Sequence, residues 1–233
     1  MKNQYFGDVS DYRKYGLLRC FAEVGPRVGV VWMLTPDNTS PDGRRTRYLL
    51  EPDKWRRFDP DLFMLLADSV TGAGRDVHRL ESSGLLREAR YFRSPLTDST
   101  DSTTQRDDYF RRALSTLSGC DVAFFDPDNG LEVKSVPRGS TGSSRYLYWS
   151  ELMATWARGH SVLIFQHFTR ERRTAFAGRL LGQLQAHLPA ATASTLTTSH
   201  VLFLLALQPH HVHAGNRAIE LTLRRWPGQI MRP

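Results

Sequence analysis

Cysteine is nearly absent. Cys20 and Cys120 are the two in 233 residues, each beside an apolar run. That excludes a disulfide framework and a cysteine-rich zinc site, and it fits reduced, buried thiols in a cytoplasmic protein. Long hydrophobic runs are missing too. The most apolar stretch, VLFLLAL at 201–207, has strand length and falls far short of the ~20 residues that span a bilayer, so no membrane partner is expected. The first residues, MKNQYFGD, contain no apolar core of the kind a secretory signal needs. No run of basic residues marks a disordered tail, and no segment repeats. With no compositional break, residues 1–233 are expected to form one α/β domain, with the helical segment 1–25 packing at its site.

Positive charge is plentiful. The net charge is +7, supplied mostly by arginine, and the isoelectric point is 9.7. Such a surface attracts polyanions, so nucleic acid is the expected partner.

Apolar runs of strand length alternate with helical stretches. Strands are expected at 28–34 (VGVVWML), 90–92, 122–125, 161–165, 201–207 and 218–223. A helix capped by Asp8 or Ser10 should run to about Glu23 and stop at Gly25-Pro26. Further helices are expected over 61–69 behind Asp59-Pro60, over 76–86, over 105–118, behind Ser150-Glu151, and from 170 to 187. In the 105–118 helix, Arg106, Arg111 and Arg112 should form a solvated face. Residues 97–104 and 135–145 are rich in small polar residues and read as loops, the second able to close over a ligand or serving as a plain linker. The alternation predicts a Rossmann-like (methyltransferase-like), doubly wound, mostly parallel sheet with helices on both faces. The last two strands, 201–207 and 218–223, would end it as an antiparallel hairpin.

The chain is organised around residues 120–134, CDVAFFDPDNGLEVK. A buried apolar strand stops at Asp126-Pro127-Asp128-Asn129-Gly130, and Glu132 and Lys134 follow. A strand with a polar turn is the plainer reading, but the carboxylates lie where an open α/β sheet holds its ligand. If the sheet is parallel, the ends of three strands gather Asp37, Asp42, Asp126, Asp128, Glu132, Gln166 and His167 at one crevice. Asp8, Asp11 and Lys14 join them from the first helix. His167 is the candidate for acid/base work. His210, His211 and His213 are either an incidental surface group or a metal cluster. Tyr5, Phe6, Tyr12 and Tyr15, interleaved with charges, suit a pocket rim or a base-stacking surface.

Three chemistries are compatible with these residues. In the first, the loop after the opening strand (Thr35, Asp37, Asp42, Gly43), with Asp8 and Asp11 beside it, holds S-adenosylmethionine, and Asp126 and Asp128 position an amine for methyl transfer. In the second, Asp126, Asp128 and Glu132 bind Mg²⁺ or Mn²⁺ for phosphodiester hydrolysis, with Glu132-Val133-Lys134 resembling half of a restriction-endonuclease signature. The third is a non-catalytic nucleic-acid-binding module.

Residues 5–15, YFGDVSDYRKY, are similar in layout to the N-terminal segment of bacterial adenine-N6 methyltransferases that act on large-subunit ribosomal RNA. The Asp126–Gly130 corner resembles their Asp-Pro-Pro-Tyr motif. That resemblance implies Asp126 facing the target amine and Lys14 near the cofactor. It is imperfect: Asp128 stands in place of the second Pro, Asn129 in place of the aromatic, and the 35–45 loop has a single glycine. The chain also looks like a member of a family of bacterial proteins sharing NQYFGD, DYRKYGLLR, the Trp-x-Leu-Thr-Pro-Asp strand end, DPDNGLE and QHF.

Overall fold

The computed structural model describes residues 1–98 and 102–233. In chain order come α1 (Val9–Val24), β1 (Val28–Val31), α2 (Pro52–Trp55), α3 (Pro60–Asp68), α4 (His78–Ser82), β2 (Arg90–Phe92) and α5 (Ser102–Thr116). They are followed by β3 (Val122–Phe125), β4 (Gly130–Leu131), β5 (Tyr146–Leu147), α6 (Trp149–Ala157), β6 (Ser161–His167), α7 (Arg173–His187), β7 (Thr192–Thr197), β8 (Val201–Leu207) and α8 (Val212–Arg225). The main sheet has the order β2-β1-β3-β6-β8-β7. Its first four strands are parallel; β8 runs antiparallel to β6, and β7 antiparallel to β8. This is a Rossmann-like, doubly wound α/β fold.

Alternation along the strands divides the core into two layers. Val28, Val30, Phe124, Leu163, Phe165 and Phe203 face α1, α3 and α8. Val31, Phe125, Val162, Ile164 and Leu204 face α5, α6 and α7. Strands buried on both faces must be apolar throughout, which is why β3 and β8 stood out in the sequence.

Local chemistry sets the helix ends. Asp8, not Ser10, caps α1, accepting the Ser10 N–H at 2.8 Å, and Gly25 stops the helix at φ 120°. Asp59 caps α3 through the Leu62 N–H at 3.2 Å. Tyr148 is the cap of α6, and Ser150 lies inside that helix. β1 ends at Val31, short of Leu34, because Met33 takes a positive φ of 47° and breaks the ladder. β6 is longer than expected and carries Gln166 and His167 as strand residues, while α7 begins at Arg173 and α4 is a short remnant of the 76–86 helix.

The C-terminus differs most from expectation. Residues 218–223 are helical, within α8. Ile219, Leu221 and Leu223 mimic strand alternation, but the buried set is Gly215, Ala218, Ile219 and Thr222, a spacing of three and four. The antiparallel hairpin is β7–β8 instead. β7, TASTLT, is an edge strand with one partner and carries no apolar run to reveal it. Residues 102–104 belong to α5 rather than to a loop, and 99–101 lie outside the described residues.

Arg106 is a second correction. It is 3 % exposed, not part of a solvated face. Its guanidinium donates to Glu151 Oε2 at 3.0 Å and to Ser143 O at 3.0 Å, so it holds the 135–145 connection down. Cys20 and Cys120 are both buried free thiols. Among the described residues no helix is long and apolar enough to cross a membrane.

Candidate functional site

From β1 the chain passes over the α3 face to β2, then returns across the α5 face to β3 on the other side of β1. The strand order therefore reverses between β1 and β3. At such a point the loops after two neighbouring strands diverge and leave a crevice beyond the strand ends. An open cavity of about 880 Å³ lies there, between the 38–45 loop and residues 126–129.

Its floor is ionic. Lys14, 1 % exposed on α1, places Nζ 2.6 Å from Asp126 Oδ2 and 2.7 Å from Asp11 Oδ1. The ammonium also sits 4.8 Å from the centre of the Phe165 ring. Burial pulls the Lys14 pKa down, but the two carboxylates more than offset this and raise it. Burial pushes the Asp11 carboxyl up to about 6, with Lys14 opposing and Asp126 adding to the rise. Burial lowers the His167 imidazole below its usual range, with Asp126 opposing, and its ring packs edge-on against Phe165 at 5.1 Å.

A second cluster surrounds Asp128. The Met1 ammonium lies 2.7 Å from Asp128 Oδ1 and donates to Met33 O at 3.2 Å and Asp126 O at 2.9 Å. Thr35 Oγ1 donates to Asp128 Oδ2 at 2.5 Å, and Lys2 Nζ donates in turn to Thr35 at 2.8 Å. Although burial raises the Asp128 carboxyl, these donors and cations bring it below the ordinary range. Met1 and Lys2 therefore bridge the ends of β1 and β3, and nothing in their local pattern marks them for it.

The DPDNG turn is clamped from β6. Gln166 Oε1 accepts the Leu131 N–H at 2.7 Å, and its Nε2 donates to Asn129 O at 3.3 Å. Gly130 has φ 102°, and a Cβ there would lie 2.3 Å from the Gln166 amide. Only glycine fits the turn against the clamp.

Of the residues picked from sequence, Asp8, Asp11, Lys14, Asp42, Gly43, Asp126, Asp128 and His167 line this cavity. Thr35 supports it through Asp128. Gly43, at φ 74°, packs directly on Tyr5, whose ring faces the cavity. Burial and the nearby Asp128 push the Tyr5 hydroxyl up to about 12. Asp37 stays outside and accepts the Gln4 N–H at 3.1 Å.

Glu132 does not join Asp126 and Asp128. Its carboxylate turns to the start of α6 and accepts the Trp149 N–H at 2.8 Å, and Lys134 is exposed. With Asp126 held by Lys14 and Asp128 by Met1, the three carboxylates form no metal centre. Among the described residues no group of three His, Cys, Asp or Glu side chains converges on a point. The histidines after β8 are elsewhere: His211 contacts Ser161 Oγ at 3.0 Å, at the opening residue of β6 and thus the opposite sheet edge. Phe6, Tyr12 and Tyr15 are fully buried core residues, which leaves Tyr5 alone of that group at the rim.

No protein-family model matches the chain, and no curated protein matches it. Among solved structures, one similar chain is human methyltransferase-like protein 13 in complex with SAH. It shares 14 % identity over 91 % of this chain and 89 % of its own, with a TM-score of 0.35.

Proposed function

We propose that the protein is a methyltransferase-like enzyme that uses S-adenosylmethionine to methylate an amino group in a nucleic acid. The observation that carries this reading is the cavity at the β1/β3 reversal, with Asp126 at its floor. The N-terminal and Asp126–Gly130 resemblance to adenine-N6 methyltransferases supports the same reading.

The groups present suit the ligand. S-adenosylmethionine carries two cations, a carboxylate, ribose hydroxyls and a purine. Asp8 offers acceptors for the hydroxyls and the ammonium, and Tyr5 a ring face for the purine. Asn129 occupies the place of that family's stacking aromatic, so the target base would be held by hydrogen bonds rather than by a ring at that position.

Bound S-adenosylmethionine would supply an electrophilic methyl group. The chain's own part is alignment. Lys14 holds Asp126 through Oδ2, leaving Oδ1 to accept a hydrogen bond from the target amine and orient its lone pair. His167, kept neutral by burial, takes the proton that the amine must lose after transfer.

Isothermal titration tests the reading. Saturable binding of S-adenosylmethionine, with methyl incorporation into RNA or DNA that Asp126→Asn abolishes, is expected. Absence of cofactor binding together with Mg²⁺- or Mn²⁺-dependent cleavage of nucleic acid would overturn it.

A further inference from the structure

The 135–145 connection is anchored far more firmly than a linker requires. Asp98 accepts the Gly142 and Ser144 N–H groups at 2.8 and 2.9 Å. Buried Arg106 donates to Ser143 O at 3.0 Å and Tyr146 O at 2.5 Å, and it pairs with buried Glu151, which also receives Arg138 Nε at 3.0 Å. Desolvating a guanidinium and a carboxylate is costly unless their remaining donors and acceptors are met, as they are here.

What the anchor fixes in the cavity is Arg145. Its carbonyl accepts the Asn129 N–H at 2.9 Å, and the next residue, Tyr146, pairs with Gly130 in the β4–β5 ladder. Arg145 is thereby locked to the turn that carries Asp126 and Asp128. Its side chain is exposed, lines the cavity and makes no ion pair with any described residue. From the facing loop come Arg44, also exposed and without an ion pair among the described residues, and Arg45, whose Nε is 3.5 Å from Asp8. The nearby acids are already engaged: Asp98 by the Gly142 and Ser144 N–H groups, Asp128 by Met1 and Lys2, and Asp42 by the Ser40 hydroxyl at 2.5 Å.

We propose that Arg145, with Arg44 and Arg45, forms a phosphate-binding subsite at the cavity mouth that seats a backbone phosphate beside the target nucleotide. The identity of the polyanion rests on the nucleic-acid reading above. A guanidinium fork matches two phosphate oxygens, and three such groups line the cavity, two from the loop after β1 and one from the connection that leads into β5.

Fluorescence anisotropy of a labelled short single-stranded RNA, titrated against salt, tests this. Arg145→Ala should weaken binding about tenfold and reduce the salt slope by about one. Arg111→Ala, which removes an exposed arginine on α5 remote from the cavity, should change little. Inorganic pyrophosphate should compete with the RNA on the unaltered protein and lose most of that effect in Arg145→Ala. Equal weakening by both variants, or no RNA binding by the unaltered protein, would overturn the subsite. Titration with S-adenosylmethionine alone separates the two proposals, because Arg145→Ala should leave it unchanged. Loss of cofactor binding in the unaltered protein would count against the enzyme reading and not against the subsite.

Discussion

Lys14 and Asp126 are 112 residues apart in the chain, yet Nζ and Oδ2 meet at 2.6 Å with both groups out of solvent. The pair joins the first turns of α1 to the end of β3, so one contact fixes both walls of the cavity. Asp11 on the same helix shares the ammonium, making a buried two-carboxylate, one-amine cluster.

Lys14→Met should therefore destabilise the fold by about 3–5 kcal/mol, because it leaves Asp11 and Asp126 buried without their cation. Urea unfolding at neutral pH measures this. The loss should shrink in acid, where Asp11 takes up a proton. Asp126→Ala should likewise lower the thermal midpoint as well as activity, whereas Asp126→Asn keeps the shape and should cost less.

The Asp11 carboxyl titrates at about 6 in the fold against an ordinary 3.8. Its contribution to stability is fully present below 3.8, where both folded and unfolded chains hold the proton, and is lost as pH rises through about 6. His167 has the opposite sign. Its lowered pKa contributes stability above the ordinary 6.5, which is lost as pH falls through the depressed value. Unfolding midpoints of Asp11→Asn and His167→Asn, measured across this range, should each remove one of the two slopes.

Gly130→Ala should destabilise the protein by more than ~1 kcal/mol, since alanine resists the positive φ and its Cβ would strike Gln166. Gln166→Ala should cost about 1–3 kcal/mol by leaving the buried Leu131 N–H unmet. Combining the two should cost less than their sum, because the first clash disappears with the side chain. Thermal denaturation of the two single variants and the pair reads this directly.

Arg106→Gln should free the 135–145 connection. The expected cost is about 3–5 kcal/mol, because buried Glu151 keeps the Tyr148 N–H but, among the described residues, only Arg138 as a cation. Hydrogen exchange at Gly142 and Ser144 should quicken, and RNA affinity should fall as Arg145 loses its fixed place. If exchange there is unchanged, the anchoring role of Arg106 is wrong.

Fold class was legible in the sequence because strands buried on both faces must be continuous apolar runs. VGVV, VAFF, SVLIF and VLFLLAL met that condition, and the breaks after them marked the sheet edge. The strand-end carboxylates and the acidic start of α1 were legible for the same reason: charge seldom accumulates at the end of a buried strand without a partner or a ligand. β7 and α8 were not legible. An edge strand with one ladder partner has no need of an apolar run, and a helix with apolar residues at 219, 221 and 223 copies a strand's alternation until its neighbours show which side is covered.

By itself the sequence determined which residue types end each strand and that a parallel sheet would bring those ends to one edge. Only the tertiary structure decided how the charges divide among partners. Lys14 went to Asp126 and Asp11, Met1 and Lys2 to Asp128, Glu132 to the start of α6, and Arg106 into the interior. Ion pairing depends on distances of a few ångströms between segments far apart in the chain. Strand order and loop path set those distances, and no local pattern encodes them.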